Sequence, residues 1–428
     1  MSASLITRGL PAVTKAPLNP YAPVAKWILG TSGMVAGMVH IGGVTRLTKS
    51  GLSMTDWKPL GSLPPMNTQD WMKEFDRYKE FPEWQQRKSM TLDEFQYIYF
   101  WEWGHRMLGR VVGICFAAPW AYFAFRKKIP SGYNARMRLL FVMGGTQGLV
   151  GWWMVRSGLT EDRRNDKKEI RVSPYRLAAH LGMAFTTYAT LLYTGLGILQ
   201  IPNDAVPKAA NGASSKILQL THSLSHDAIK YAKRIRFGAI GVTTLTAITV
   251  ASGAFVAGND AGNAYNTFPK MDDQWIPMDD MIDPELKPTY RNAFENTAMV
   301  QWNHRVLGTS TALGSLALAS FGLFHPASRQ ALTPQVNKGL KVLAGVAIGQ
   351  MSLGIATLLN YVPITLAATH QLGSLVVLST GIYVCHSLRY VSPSVLRNVT
   401  QKVASSAASG GRRTISGSAM TGKHSMVQ

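Results

Sequence analysis

Acidic residues are scarce in this chain, with 23 Asp and Glu against 44 Lys and Arg, and only 16% of its 428 residues are charged. Beside 46% hydrophobic residues, so low a charged fraction argues against a string of soluble domains. Cysteine is nearly missing as well. Cys115 and Cys385 both fall in apolar segments, which excludes a disulfide framework and a thiolate metal site and leaves small packing residues. Residues 1–26 hold Arg8, Lys15 and Lys26 but no acid and no apolar core of secretory length. They are no signal peptide; they read as the end of a mitochondrial targeting stretch or as a short basic terminus.

What the chain does have is long apolar runs. Stretches of the roughly twenty residues needed to cross a bilayer lie near 27–44, 98–125, 139–155, 177–199, 237–257, 298–324, 340–359 and 364–388. The expected class is an all-α integral membrane protein with eight transmembrane helices arranged as two pseudo-symmetric four-helix bundles. Eight spans put the termini and every second loop on one side. On that side the only acids are Asp204 and Asp227, so it carries essentially the whole net charge of +21. This is the positive-inside pattern, with both termini in the cytoplasm or the mitochondrial matrix. A basic membrane face accounts for the charge without nucleic acid.

The expected organisation is a basic N-terminal segment (1–26), an N-terminal four-helix half (27–199), a linker (200–236), a C-terminal four-helix half (237–388) and a disordered tail (389–428). The linker contains Ile217 to Arg236, with the pattern of a surface-lying amphipathic helix. His222 and His226 within it have a metal-compatible spacing but no third ligand in view. The long loop 46–96, rich in Trp, reads as a lid on the membrane surface.

The halves announce themselves through a repeat. Glu102-Trp103-Gly104-His105-Arg106-Met107-Leu108-Gly109-Arg110 recurs as Gln301-Trp302-Asn303-His304-Arg305-Val306-Leu307-Gly308-Thr309, and the residues around His180 recur around His370. Counted from the start of each apolar run, His105, His180, His304 and His370 fall at one depth, roughly 10 Å inside the acidic-side boundary at 1.5 Å rise per residue. A lone membrane histidine reads as a hydrogen-bonded polar residue. Four in two repeated pairs read as ligands, and two imidazoles on facing helices suit an axially ligated haem. Gly104, Gly182, Gly308 and Gly373, beside the histidines, would ease the fit of a macrocycle. Arg106 and Arg305 could pair with its propionates or snorkel to the headgroups. Glu102, matched by Gln301, lies on the face of His105. It suits either chemistry at the macrocycle edge or a structural ion pair with Arg106.

Further motifs identify a family. Gly42-Gly43-Val44-Thr45-Arg46-Leu47-Thr48 with Ser50-Gly51-Leu52-Ser53-Met54, Glu102-x-x-His105-Arg106, Ala257-Gly258-x-Asp260-Ala261-Gly262 with Tyr265-Asn266-Thr267-Phe268-Pro269, and His304-Arg305-x-Leu-Gly together resemble the haem A synthases, across nearly all of 27–388. The loop cysteine pair of some bacterial members is absent, so the likeness is to the mitochondrial and alphaproteobacterial branch. The resemblance implies conversion of haem O to haem A for cytochrome oxidase by two oxidations of the ring C8 methyl. His304 and His370 would hold a haem b cofactor, and His105 and His180 the haem O or haem A being processed. Glu102 would be the catalytic carboxylate, and Arg106, Arg305, Arg46 and Arg110 would bind the haems. The resemblance also implies a mitochondrial inner membrane or alphaproteobacterial plasma membrane, a ferredoxin donor, and dealings with haem O synthase and membrane lipids. It leaves homo-oligomerisation open. The rival readings are a di-haem b-type transmembrane electron-transfer protein, using the same histidines without haem modification, and a cofactor-free transporter.

Overall fold

The computed structural model describes residues 19–160, 170–201, 220–221 and 223–401. Eight helices of 23 residues or more dominate these residues: α1 (Ala22–Leu47), α2 (Leu92–Phe125), α3 (Asn134–Arg156), α4 (Pro174–Leu199), α5 (His226–Asn259), α6 (Thr297–Phe324), α7 (Pro334–Leu359) and α8 (Ile364–Ser387). Six of them, all but α3 and α4, are long and apolar enough to cross a membrane by length and composition. Gly144, Gly145, Gly148, Gln147 and the terminal arginines dilute α3.

Local chemistry sets the helix ends. Thr91 and Glu94 form a reciprocal capping box at the start of α2. Ser225, Asn296 and Thr333 accept hydrogen bonds from the first turns of α5, α6 and α7. Asp260 ends α5 in the left-handed conformation at φ 49°.

Several helices start before the apolar runs do, and three differences from the sequence reading bear on the organisation. α2 starts at Leu92 rather than 98, because its extra turns bury Phe95, Ile98 and Tyr99 against a loop helix, Thr68–Lys79, through Trp71, Phe75 and Tyr78. The lid is therefore a folded unit with its own aromatic core, and burial beside Glu83 pushes the Tyr78 hydroxyl's pKa up. α5 starts at His226 rather than 237, so the second part of the amphipathic linker segment is the first turns of that helix. The tail expected to be disordered from 389 continues instead as a 3-10 turn, Leu388–Val391, and a helical stretch to 401. His222, most of the linker and residues 1–18 and 402–428 lie outside the described residues.

Within the first half α1 packs on α2 and α4, and α3 on α4; within the second, α5 packs on α6 and α8, and α7 on α6 and α8. The halves meet where α1 and α4 face α8 and α4 faces α5. That seam is apolar, through Val39, Phe185, Tyr188, Leu375, Leu378 and Ile382. Two polar ties cross it: Tyr188 to Ser379 at 2.6 Å and Gln371 Nε2 donating to the Val39 carbonyl at 3.2 Å. Lipid offers no hydrophobic drive for helix association, so close packing and such ties carry it.

Candidate functional site: four histidines on one cavity

All four histidines line a single cavity of about 1640 Å³, walled by residues from each of the eight helices. Each imidazole is seated against a glycine of the preceding helix. A Cβ built on Gly42 would lie 2.9 Å from Cε1 of His105, on Gly151 2.9 Å from that of His180, on Gly253 3.1 Å from that of His304, and on Gly354 2.7 Å from that of His370. At Gly42, Gly151 and Gly354 a methyl group would strike the ring, and at Gly253 it would press tightly on it. The glycines singled out in the sequence are different ones. Gly104, Gly182 and Gly308 face open space, and Gly373 is filled by the Gln350 side chain.

The second histidine of each pair has a clamp that sequence reasoning missed. Gln147 Nε2 donates to the His180 carbonyl at 3.1 Å and lies 3.2 Å from its Nδ1; Gln350 does the same to His370 at 2.8 and 3.1 Å. Gln147-x-x-x-Gly151 and Gln350-x-x-x-Gly354 repeat one spacing, a signal that aligning α3 with α7 would have exposed. The first histidines differ. Ser252 Oγ lies 2.7 Å from Nδ1 of His304, whereas Nδ1 of His105 is buried without a hydrogen-bond partner.

The rings of His304 and His370 stand 6.5 Å apart, centroid to centroid, at 86°. Two imidazoles bound through one nitrogen each, at about 2 Å from a shared transition-metal ion, bring their centroids to about this separation. No cluster of three or more His, Cys, Asp or Glu forms among the described residues. Paired histidines on an apolar cavity fit an axially ligated macrocycle in which four ring nitrogens complete the metal's coordination.

The charged residues of the motif are committed elsewhere. Glu102, 3% exposed, accepts from Ser53 Oγ at 2.7 Å and from the Met54 N–H at 2.8 Å, and its other oxygen pairs with Arg106 at 2.6 Å. Arg106 also donates to the Met54 and Asp56 carbonyls, and Arg110 to those of Lys58 and Pro59. In the second half Gln301 Nε2 donates to the Tyr265 carbonyl, and Arg305 donates to those of Tyr265 and Lys270 and to Gln301 Oε1. Glu102–Arg106 and Gln301–Arg305 are thus equivalent devices, each fastening the long loop of its half over the cavity. The ion pair weighed against chemistry for Glu102 is formed, and the same residue lines the cavity beside His105. Arg46 donates to the Ala257 carbonyl at 2.7 Å and to Asp260, which also pairs with Arg171. All four arginines line the cavity, and Nε of Arg305, buried without a partner, keeps a donor available to an anionic group.

A family model described as "Cytochrome oxidase assembly protein", COX15-CtaA, matches residues 25–382. The chain is 43% identical over 386 residues to "Heme A synthase COX15" of Arabidopsis thaliana, covering 88% of this chain and 77% of that one. It is 40% identical over 384 residues to the "Heme A synthase-mitochondrial ferredoxin fusion protein" of Schizosaccharomyces pombe, covering 86% and 60%. It is 42% identical over 368 residues to "Heme A synthase" of Rhodospirillum centenum, covering 86% and 88%.

Proposed function

The chain belongs to the COX15-CtaA family of cytochrome oxidase assembly proteins and makes haem A for cytochrome oxidase; we propose that it does so as an oxidoreductase, taking the ring C8 methyl of haem O to a formyl group in two successive oxidations. It is a multi-pass membrane protein. We place all eight long helices across the bilayer as two four-helix bundles, a reading supported by the closed ring of helix contacts within each half. The basic face then lies in the matrix of a mitochondrion, or in the cytoplasm of an alphaproteobacterium, with both termini.

The observation that carries the site assignment is the fourfold His-on-Gly seat around one cavity. His304 and His370 hold haem b, and His105 and His180 hold the haem being processed. Haem b, when bound, supplies one-electron chemistry. The first half suits the substrate because its leading histidine is held less firmly, without a counterpart of Ser252. Glu102 acts there as a positioning residue: with Arg106 it fixes Ser53 and Met54 over the cavity and keeps water from it. Arg106, Arg110 and Arg46 work through the loops, while Arg305 keeps one donor for a propionate. A ferredoxin is the expected electron donor, a role supported by the fused relative's name and by the basic face, which would attract an acidic partner.

The test is direct. Purified protein supplied with haem O is extracted and its haems are separated against haem B, O and A standards. Haem A and haem B are expected together. Haem B alone, with added haem O left unchanged, would leave a di-haem electron-transfer protein.

A further inference from the structure

The two halves differ at two helix pairs: α1 and α4 pack more extensively than α5 and α8, and the reverse holds for the second and third helices. α2 and α3 barely touch, whereas their counterparts α6 and α7 pack along much of their length. The residues explain it. Setting Gln147 and Gly151 on Gln350 and Gly354 places Gly144, Gly145 and Gly148 of α3 opposite Ala347, Ile348 and Met351 of α7. The repeat likewise sets Gly113 of α2 on Ala312 of α6. Ala312 and Ala347 are buried, but a Cβ on any of the four α2 and α3 glycines would meet nothing within 4 Å. Removing side chains from both walls leaves a slot.

The slot lies between the cavity and the outer apolar surface of α2 and α3. Ile114 of α2 and Phe141 of α3 line the histidine cavity, yet are 65% and 49% exposed. Its flanks, Val111, Val142 and Leu149, are exposed and apolar, as a surface against lipid should be. At one end the first loop spans the slot. The Lys58 and Pro59 carbonyls accept from Arg110 on α2, and the Trp57 ring lies 5.6 Å from that of Trp152 on α3. Gly61, at φ 88°, turns the loop tightly against Met107 and Arg110, and Leu60 beside it is 97% exposed.

We propose that the slot between α2 and α3 is a lateral doorway through which the macrocyclic substrate passes between the bilayer and His105 and His180, under a lintel made by Trp57 and Trp152. This rests on the assignment of the first half to the substrate. A large apolar ring system dissolved in lipid has a low-barrier path along the apolar flanks. Passage through the loop side would instead break the hydrogen bonds that Arg106 and Arg110 make. The second half, holding a resident cofactor, has no such slot between α6 and α7.

The experiment fills the doorway with the residues that stand in the wall of the other half, Gly144→Ala with Gly148→Met. Full-length protein carrying haem b is placed in phosphatidylcholine vesicles and mixed with donor vesicles holding haem O, and uptake is followed by the absorbance of the newly ligated haem. Gly349→Leu, on an open face of α7 that does not line the cavity, serves as control. The filled variant should load roughly tenfold more slowly, a barrier about 1.4 kcal/mol higher, with its haem b spectrum unchanged and the control at the wild-type rate. Loading at the wild-type rate in the filled variant overturns the doorway and leaves the function standing. If the wild type takes up no haem O, the substrate assignment fails and the doorway with it. Should the double variant lose haem b through misfolding, the milder Gly113→Ala is judged by the same two rates.

Discussion

Gly354 and Gly253 do similar work at slightly different tolerances, and the difference can be measured. A methyl group on Gly354 would stand 2.7 Å from the His370 ring, and one on Gly253 3.1 Å from that of His304. With His304 and His370 holding haem b as proposed, Gly354→Ala should displace its histidine and strip most haem b from the purified protein, while Gly253→Ala should keep the haem with an altered spectrum. Equal retention in both would show that the seats yield. Glu102 permits an equally local test. Glutamine can accept from Ser53 and Met54 but turns its amide toward Arg106, so Glu102→Gln loses the ion pair. The loop should then be cut faster by protease and haem A formation should fall, with both haems still bound. Undiminished haem A with a protease-resistant loop would remove Glu102 from the mechanism.

At the scale of elements, the two long loops are held down by the same i, i+4 device on α2 and α6, and the second adds a titratable latch. Tyr265, whose carbonyl receives Gln301 and Arg305, donates its hydroxyl to Asp280; burial and that hydrogen bond push the tyrosine up to about 12 from an ordinary value near 10. A raised value means that the protonated hydroxyl is the favoured form. The latch is complete below about pH 10 and is lost as pH rises through about 12. Tyrosinate absorbance at the end of the titration should fall by one group's amplitude in Tyr265→Phe, while the other late-titrating tyrosines, Tyr78 among them, remain. The loops also mark the limit of sequence reasoning. Six of the long helices were legible through apolar length alone, and the histidines because they repeat. Gln147, Gln350 and the four seating glycines were not, since each acts on a neighbouring helix and nothing near the histidines in the chain points to them. The arginines were legible in part. A guanidinium beside a histidine looks equally suited to a propionate and to loop carbonyls; the folded loop supplies the carbonyls, and the same arginines line the cavity.

Across the whole molecule, one cluster on the loop side ties the halves. Asp260, capping α5, takes Arg46 from the end of α1 and Arg171 from the segment before α4. Partly exposed pairs contribute little each, on the order of 1 kcal/mol or less, but removing the shared carboxylate leaves two cations facing each other. Asp260→Asn should lower the temperature at which haem is released by a few degrees without changing the haem content at room temperature, and an unchanged release temperature would show the tie to be idle. The apolar seam was foreseeable in kind, since two membrane bundles must share an apolar face, but its partners were not, because periodicity does not say which helices meet. The seated imidazoles bear finally on turnover. On the proposed ligation, rings fixed against glycine from one side would approach iron in the same way whether the macrocycle carries a methyl or a formyl at its rim. Such ligands grip product about as firmly as substrate, so the catalytic cycle should be limited by product departure, and an acceptor that draws haem A away should accelerate it.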